Sequence, residues 1–360
     1  MTPDRADRIA GTLLGTAVGD ALGLPREGLS ARRARRLFGD GLRHAFVAGR
    51  GMVSDDTEHA CLLGQALLSA PEDPARFARV LARKLRFWLL GLPAGVGLET
   101  ARGIAKLWLG FPPGRSGVRS AGNGPAMRTA LLGACLGEDP ARLRPWVAAA
   151  TRCTHSDPRA ERAAFLVAFA AAHAAARTAK GIDPPAFLLD AARALPDLDD
   201  ELRLILGMMR EHLDRGAPLA AFAASLGVGS GVTGYAYRTV PVALYGWLRD
   251  REDFRAVVTN AIRLGGDTDT TGAIAGALAG AGTGIAGIPD RWLEGIAEWP
   301  RSVPWMRRLA ERLGERFRGD GLVVPGPGEL PLAWPLLLPR NLAFLAIVLA
   351  HGFRRLLPPY

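Results

Sequence analysis

Apolar residues recur every three or four positions along most of the chain, which is the spacing of one face of an α-helix. The first run joins Ile9, Leu13 and Val18, and Pro25 is expected to stop that helix. Further helical stripes cover 77–89, 160–176, 202–213, 254–264, 272–288 and 292–299. Strand-like alternation is confined to short pieces near Phe46 and Val323. The pattern predicts an all-α protein.

Four of the predicted helices share one start signal, an aspartate followed by a proline. The aspartate can cap the helix and the proline suits its first position. The four pairs are Asp73-Pro74, Asp139-Pro140, Asp157-Pro158 and Asp183-Pro184.

The helical pattern continues without a break in composition to residue 317, which predicts one compact domain over 1–317. Glycine and proline then become dense, and we expect 318–360 to be a linker and a short C-terminal helix that packs against the domain. The apolar stretch from Leu342 to Ala350 is shorter than the roughly 20 residues that span a bilayer, so no transmembrane segment is expected.

Composition narrows the class of protein further. Apolar residues make up 49% of the 360 residues, which is enough for a sizeable core. The net charge is +10, and almost all of the positively charged side chains are arginines. The arginines at 32, 33, 35 and 36 fit a solvated helix face, so no specific nucleic-acid partner is predicted. Three cysteines without paired spacing argue against disulfides and a thiolate zinc site. Because no signal peptide is apparent, a cytoplasmic location is expected. The protein is also expected to be a monomer.

Two acid clusters carry the candidate chemistry. Gly265 to Gly272 contains Asp267, Asp269 and Thr270 at a predicted helix start, and Ser54-Asp55-Asp56-Thr57 precedes another helix far upstream. Such residues also cap helices, but a cap needs one acceptor rather than two neighbouring carboxylates. Folded together, the clusters would form an all-oxygen site for Mg²⁺, Mn²⁺ or Ca²⁺.

Three other positions have both a functional and an ordinary reading. Glu27, beyond the first helix, is either a functional carboxylate or a solvated loop acid. Gly122-Asn123-Gly124 precedes a helix and could hold phosphate on free backbone N–H groups, or it is an ordinary turn. His155 could contact a ligand or be an unremarkable polar residue.

Taken in order, these motifs resemble the ADP-ribosylglycohydrolase family over about residues 8–300. The resemblance implies an all-helical fold holding two Mg²⁺ ions, with Mn²⁺ as a possible substitute. It implies that the metal ligands are Ser54, Asp55, Asp56, Asp267, Asp269 and Thr270. It further implies that Glu27, Asp56 and Asp269 act in catalysis. Ser54 departs from the threonine common in the family but keeps the hydroxyl.

The resemblance also implies a substrate site. Gly122, Asn123 and Gly124 would lie along a diphosphate, with Met127 in the same motif. His155 would lie near the ribose and phosphate, and Tyr235, next to Gly234, near the adenine.

The chain is therefore predicted to be a Mg²⁺-dependent hydrolase that releases ADP-ribose from a modified protein or a small-molecule derivative. Loss of a sugar substituent passes through a cation-like state, which a held water and nearby carboxylates assist. One alternative is a non-catalytic ADP-ribose-binding or structural protein on the same fold. Another is a terpenoid-type diphosphate enzyme, but His59 stands where its Asp-Asp-x-x-Asp pattern needs an aspartate.

Overall fold

The computed structural model describes residues 4–195, 197–319 and 321–358, and these residues are mostly helical. The helices are α1 (Arg5–Gly23), α2 (Ala31–Phe38), α3 (Asp55–Ser69), α4 (Pro74–Leu90), α5 (Leu98–Trp108), α6 (Pro113–Ser116), α7 (Ala126–Leu136), α8 (Pro140–Arg152), α9 (Pro158–Ala176), α10 (Pro184–Ala194), α11 (Asp200–Asp214), α12 (Leu219–Ser225), α13 (Ala236–Asp250), α14 (Phe254–Arg263), α15 (Thr268–Thr283), α16 (Asp290–Glu294), α17 (Val303–Arg316) and α18 (Leu337–Arg355). Four two-residue strands accompany them, β1 (Leu29–Ser30), β2 (Gly265–Gly266), β3 (Phe317–Arg318) and β4 (Leu322–Val323). The all-α prediction is confirmed.

The centre of the fold is an antiparallel pair, α1 and α15, whose backbones touch. A Cβ atom added at Gly15 would lie 2.2 Å from the carbonyl oxygen of Gly276, and one at Gly19 only 1.9 Å from that of Gly272. No side chain fits at such distances, so glycine is required there. Small residues spaced by four let two helix backbones approach this closely, with Cα–H groups against carbonyl oxygens.

This pairing brings the end of α1 and the beginning of α15 to the same side of the molecule. The helices α3, α7, α9, α13, α14 and α17 pack around the pair. The apolar residues that we expected to form the α1 face, including Ile9, Leu13 and Val18, are fully buried. The first acid cluster begins α3 and the second begins α15, so both reach the same end of the core.

A very short antiparallel pairing fixes the segment after α1. Leu29 pairs with Gly266 and Ser30 with Gly265, and the Gly28 N–H donates to the Gly266 carbonyl over 2.8 Å. Gly265 and Gly266 have φ values of 76° and 80°, which favour glycine. The pairing holds the Glu27 segment beside the beginning of α15.

The four Asp-Pro helix starts occur as predicted, at α4, α8, α9 and α10. The aspartates before α4, α8 and α9 each accept a backbone N–H of the first turn. Asp183 begins α10 without such a side-chain bond.

Three sequence expectations about local structure need correction. The helix expected over 292–299 is only α16, which ends at Glu294 before Gly295, and Trp299–Pro300 is a cis peptide. The helix expected to reach residue 288 ends at Thr283, because Gly284 has a φ of 70°. The expected strand near Phe46 is a turn closed by one bridge between Val47 and Arg50, whereas the one near Val323 is β4.

The C-terminal segment is larger and more firmly attached than expected. The helix α18 has 19 residues, and its inner side carries Arg340, Asn341 and Phe344, all buried against the body. Its outer side remains exposed. The apolar stretch 342–350 is therefore buried on the inner side of the helix only. Among the described residues, Trp334–Arg355 is the one segment long and apolar enough to cross a membrane.

Candidate active site

Asp20 holds the first acid cluster in position through hydrogen bonds. It lies in the last full turn of α1 with no exposed surface, and its carboxylate accepts hydrogen bonds from the start of α3. The Ser54 N–H donates to both Asp20 oxygens over 3.0 Å, and the Thr57 hydroxyl donates to Oδ2 over 2.5 Å. Asp20 therefore fixes the turn that presents Asp55 and Asp56. Asp20 was not among the predicted site residues, although an acid within the apolar second half of α1 was a usable signal.

The two clusters meet at Asp56. Ser54 caps α3 by accepting the Asp56 N–H, and its hydroxyl donates to Asp56 Oδ2 over 3.0 Å. The Thr270 hydroxyl, from α15, donates to the same oxygen over 3.2 Å. The other oxygen, Asp56 Oδ1, is buried and has no hydrogen-bond partner. Burying an unpaired carboxylate oxygen is costly, so this atom is suited to a ligand.

The second cluster is held from the side by Asn123. The Asn123 amide donates to Asp267 Oδ2 over 2.6 Å and to the Thr239 hydroxyl over 3.0 Å. Asp269, in the first turn of α15, is buried and accepts the Thr270 N–H over 3.0 Å. Asn123 thus links the Gly122–Gly124 loop to the acids.

Burial and mutual repulsion shift the titration of these acids upward. Burial raises the pKa of Asp20 to about 6. Burial, reinforced by the neighbouring carboxylates, raises the pKa values of Asp55, Asp56 and Asp269 well above the usual range. In the described chain, no arginine or lysine forms a salt bridge with Asp20, Asp55, Asp56 or Asp269. A buried cluster of like charges without a cation favours binding one.

The donor set fits a hard divalent cation. Carboxylates and hydroxyls from Ser54, Asp55, Asp56, Asp267, Asp269 and Thr270 converge from the starts of α3 and α15. Oxygen ligands without histidine or cysteine suit Mg²⁺, Mn²⁺ or Ca²⁺ better than zinc. Within 4–195, 197–319 and 321–358, no three His, Cys, Asp or Glu side chains already form a closed metal site. Asp56 Oδ1, buried without a hydrogen-bond partner, is the atom in this set that best fits a cation.

Glu27 lies at the mouth of this acid cluster. Its side chain is exposed, yet the surrounding protein atoms and the Asp267 carboxylate raise its pKa. Arg355, near the end of α18, donates to the carbonyl oxygens of Glu27 and Pro25 over 2.8 and 3.0 Å. The C-terminal helix therefore helps to hold the Glu27 segment in place.

The glycine loop at 122–124 borders the cleft on the opposite side. Its backbone pairs with the segment before α13, because Asn123 N–H donates to the Gly234 carbonyl over 2.9 Å. Cβ atoms added at Gly122 and Gly124 would each approach the His155 ring to 3.1 Å. The two glycines let the loop lie directly against that ring.

A chain of buried polar groups stands behind His155. Arg128 is fully buried and donates to the Thr154 hydroxyl over 2.7 Å, and that oxygen lies 3.0 Å from His155 Nδ1. Burial and the Arg128 charge lower the pKa of His155 to about 3, so the ring is neutral at physiological pH. Arg128 and Thr154 were not among the predicted site residues, because their connection depends on α7 packing beside α8.

The remaining predicted substrate residues fall in different environments. Tyr235 is partly exposed, donates to Glu201 over 2.8 Å, and has the guanidinium groups of Arg159 and Arg238 at its ring. Met127 is only 5% exposed in the first turn of α7, so little of its side chain is available to a ligand.

A second set of buried charges lies behind α3. Glu58 pairs with Arg301 over 2.6 Å and accepts the Trp88 indole N–H over 2.7 Å. Arg340 from α18 pairs with Glu298 over 2.7 Å and donates to the Val53 carbonyl over 2.6 Å. These groups lie directly behind Ser54. No sequence signal linked Arg340 to this position.

A cavity of about 520 Å³ lies apart from the acid clusters. Its lining includes Arg26, Arg32, Arg35 and Arg263, and none of the predicted site residues contributes to it. The acids lie outside this cavity, at the end of the central helix pair where α3 and α15 begin.

Fold and site together define an all-helical protein with a carboxylate-rich cleft beside a glycine loop. A family model described as ADP-ribosylglycohydrolase matches residues 1–322. The chain belongs to the ADP-ribosylglycohydrolase family, and its activity class is therefore hydrolysis of ADP-ribosylated substrates.

Characterised relatives agree with this assignment. The chain is 28% identical to the ADP-ribosyl-[dinitrogen reductase] glycohydrolase of Rhodospirillum rubrum, over 81% of this chain and 90% of the relative. It is 29% identical to the ADP-ribosylarginine hydrolase Tri1 of Pseudomonas putida, over 88% and 80%. A solved ADP-ribosylglycohydrolase-related protein complex is similar with a TM-score of 0.63 and 29% identity, covering 89% of this chain and 99% of that one.

Proposed function

We propose that this protein is a Mg²⁺-dependent hydrolase that cleaves the glycosidic bond joining ADP-ribose to a protein side chain or a small molecule. The observation that carries the metal requirement is Asp56, where both acid clusters meet and one buried carboxylate oxygen lacks a partner. Mn²⁺ would serve the same oxygen ligands.

The metal ligands in this proposal are Ser54, Asp55, Asp56, Asp267, Asp269 and Thr270. Bound metal would orient the ribose hydroxyls and make a bound water more acidic. The protein contributes the fixed geometry, because Asp20 holds the start of α3 and Asn123 holds Asp267. A preorganised site of this kind lowers the barrier without rearrangement during the reaction.

Glu27 is the proposed proton acceptor. Its raised pKa and its place at the mouth of the cleft suit a carboxylate that takes a proton from water. In the reaction, Glu27 takes one proton from the water as the water oxygen bonds to the anomeric carbon, the bond to the substituent breaks, and that proton passes to the departing substituent. Asp56 and Asp269 supply negative charge near the carbon as positive charge develops there.

The diphosphate is expected along Gly122, Asn123 and Gly124, with His155 beside it and the adenine near Gly234 and Tyr235. His155 is neutral, so it would contribute a hydrogen bond rather than a positive charge. Among linkages, ADP-ribosylarginine is the first to test, because Tri1 bears that activity in its name.

The test is release of free ADP-ribose from arginine-, serine- and acetyl-linked substrates, each with Mg²⁺ and with chelator. We expect release from at least one substrate, abolished by chelator and restored by added Mg²⁺. The matched variants are Asp56→Asn and Asp190→Asn, since Asp190 is an exposed carboxylate on α10 that pairs with Arg193 one turn later. Tight ADP-ribose binding without turnover on any substrate would instead support the non-catalytic binding protein.

A further inference from the structure

The outer face of α18 is a long apolar stripe with nothing packed on it. Its members recur every three or four residues and are exposed: Trp334, Leu338, Leu342, Leu345, Leu349 and Phe353. The segment Trp334–Arg355 has a mean hydropathy of 1.6, and only 17% of its most apolar window is buried. A contiguous exposed surface of this kind is an interaction site in soluble proteins.

The inner face of the same helix excludes a membrane-crossing arrangement. Arg340 is 1% exposed and is paired with Glu298, and the Asn341 amide donates to the Gly91 carbonyl over 2.7 Å. These bonds anchor α18 lengthwise against the body. Any bilayer in contact with the stripe must therefore lie parallel to the helix, as with amphipathic helices at an interface.

The apolar surface continues beyond α18 onto the end of α4. Gly91 is bonded to Asn341, and its neighbours Leu90 and Leu92 are 60% and 63% exposed. Leu92 has a φ of 54°, an uncommon conformation for a branched residue. The combined surface is wider than one helix stripe.

The charges near this surface are mostly positive, although the exposed Asp40 pairs with Arg35 and Glu27 lies beside Arg355. Residues 330–358 contain no aspartate or glutamate, and Arg354 is exposed at the end of α18. The adjoining α2 is held to α18 because Arg33 donates to the Arg355 carbonyl, and α2 also presents the exposed Arg32. Anionic lipid headgroups complement this excess of arginine, whereas the α18 segment of a second copy, which carries no acids of its own, would not.

We propose that the α18 stripe and the adjoining arginines of α2 form a docking surface for an anionic membrane. The helix lies flat in the headgroup region with its leucines and Phe353 among the upper acyl chains. Trp334 lies at the opposite end of the stripe from Arg354, and an exposed tryptophan suits the boundary between headgroups and hydrocarbon.

The test is flotation of the full-length protein with vesicles of phosphatidylcholine containing phosphatidylglycerol, and with phosphatidylcholine alone. We expect binding to the anionic vesicles, weakened by added salt, and little binding to the neutral ones. The double variant Leu342→Glu, Leu349→Glu should bind about a hundredfold more weakly, because two half-exposed leucines no longer enter the bilayer. Arg354→Glu should lose about tenfold on anionic vesicles only.

Leu204→Glu is the matched control, since Leu204 is 66% exposed on α11, away from α18. It should bind vesicles as the wild type does, and all variants should keep the wild-type melting temperature. The proposal is overturned if the wild type floats with neither vesicle, or if Leu204→Glu loses as much binding as the double variant. A dimer that the double variant dissociates, without vesicle binding, would assign the stripe to a second copy instead.

Discussion

Two groups of carboxylates lie near the beginning of α3, and only one of them is paired with arginines. Asp55 and Asp56 face the cleft among other acids and have no cationic partner in the described chain. Glu58, within one turn, pairs with Arg301 and lies 3.7 Å from Arg340. The same short helix segment thus supplies acids to a closed ionic network and to a cluster that lacks its counter-charge.

The difference separates stability from function. A buried ion pair with complete hydrogen bonding is self-contained, and removing either partner is strongly destabilising. A buried group of like charges is instead unfavourable until a ligand arrives. The network behind α3 therefore stabilises the fold, whereas the cluster in front is unfavourable to the fold and suits the proposed metal site.

The largest effect is expected in the cleft. Asp269→Asn should reduce kcat/KM for ADP-ribose release by about a thousandfold, because a buried carboxylate proposed to ligate metal is lost. Without metal, its melting temperature should equal or exceed that of the wild type, since one repelling charge has gone. Steady-state kinetics and thermal melting check both parts, with Asp190→Asn as the control. Near-normal activity in Asp269→Asn would remove it from the site.

In the ion-pair network behind α3, a substitution is expected to lower the stability of the protein. Arg340→Met should destabilise the protein by about 3 kcal/mol, because Glu298 and the Val53 carbonyl lose their buried partner. Denaturant unfolding measures this loss. The second variant, Arg340→Met with Glu298→Gln, should recover part of the stability by removing the stranded charge. If Arg340→Met is as stable as the wild type, the Arg340 ion pair of α18 does not stabilise the fold.

The pH dependence of stability should distinguish the clusters by their response to Mg²⁺. Above the ordinary Asp pKa of about 4, the folded protein holds protons that the unfolded chain releases, so stability falls as pH rises. For Asp20 the fall extends to about pH 6 and amounts to about 3 kcal/mol. Glu298 contributes in the same direction, because burial raises its pKa although Arg340 opposes the shift.

Melting temperature against pH, with chelator and with Mg²⁺, measures this effect. Mg²⁺ should stabilise the protein more at pH 8 than at pH 5, because it competes with protons only in the cleft cluster. The Glu298 contribution should persist in both series. Equal stabilisation by Mg²⁺ at the two pH values would contradict the proposed metal ligands.

The smallest effect is expected from Thr154→Val. This variant removes the hydroxyl between Arg128 and His155, and we expect KM for the substrate to rise about tenfold through loss of one fixed hydrogen bond. Thr129→Val is the matched control, since Thr129 is equally buried and its hydroxyl donates to the Ala164 carbonyl. Both should lose stability, but only Thr154→Val should change KM. Equal KM values would show that the chain behind His155 is purely structural.

The sequence was most informative where the chemistry is local. Asp-Pro starts and the paired acids each depend on neighbours along the chain, and the helices α4, α8, α9 and α10 began as predicted. Contacts set by packing were not predictable. Asp20 accepts a hydrogen bond from the N–H of Ser54, 34 residues later in the chain. Arg340 donates to the carbonyl of Val53, from which it is separated by 287 residues. Periodicity reports which face of a helix is apolar, but not which partner meets a polar residue.

The glycine contact between α1 and α15 also has a consequence for synthesis of the chain. Gly23 meets Thr268, which is translated 245 residues later, and no larger residue can stand between the helices. At about 5–20 residues per second, α1 waits on the order of 10 to 50 seconds for its partner. During that time its apolar side is open to chaperones and to other nascent chains. A helix made 245 residues before its partner is therefore among the last to find its place.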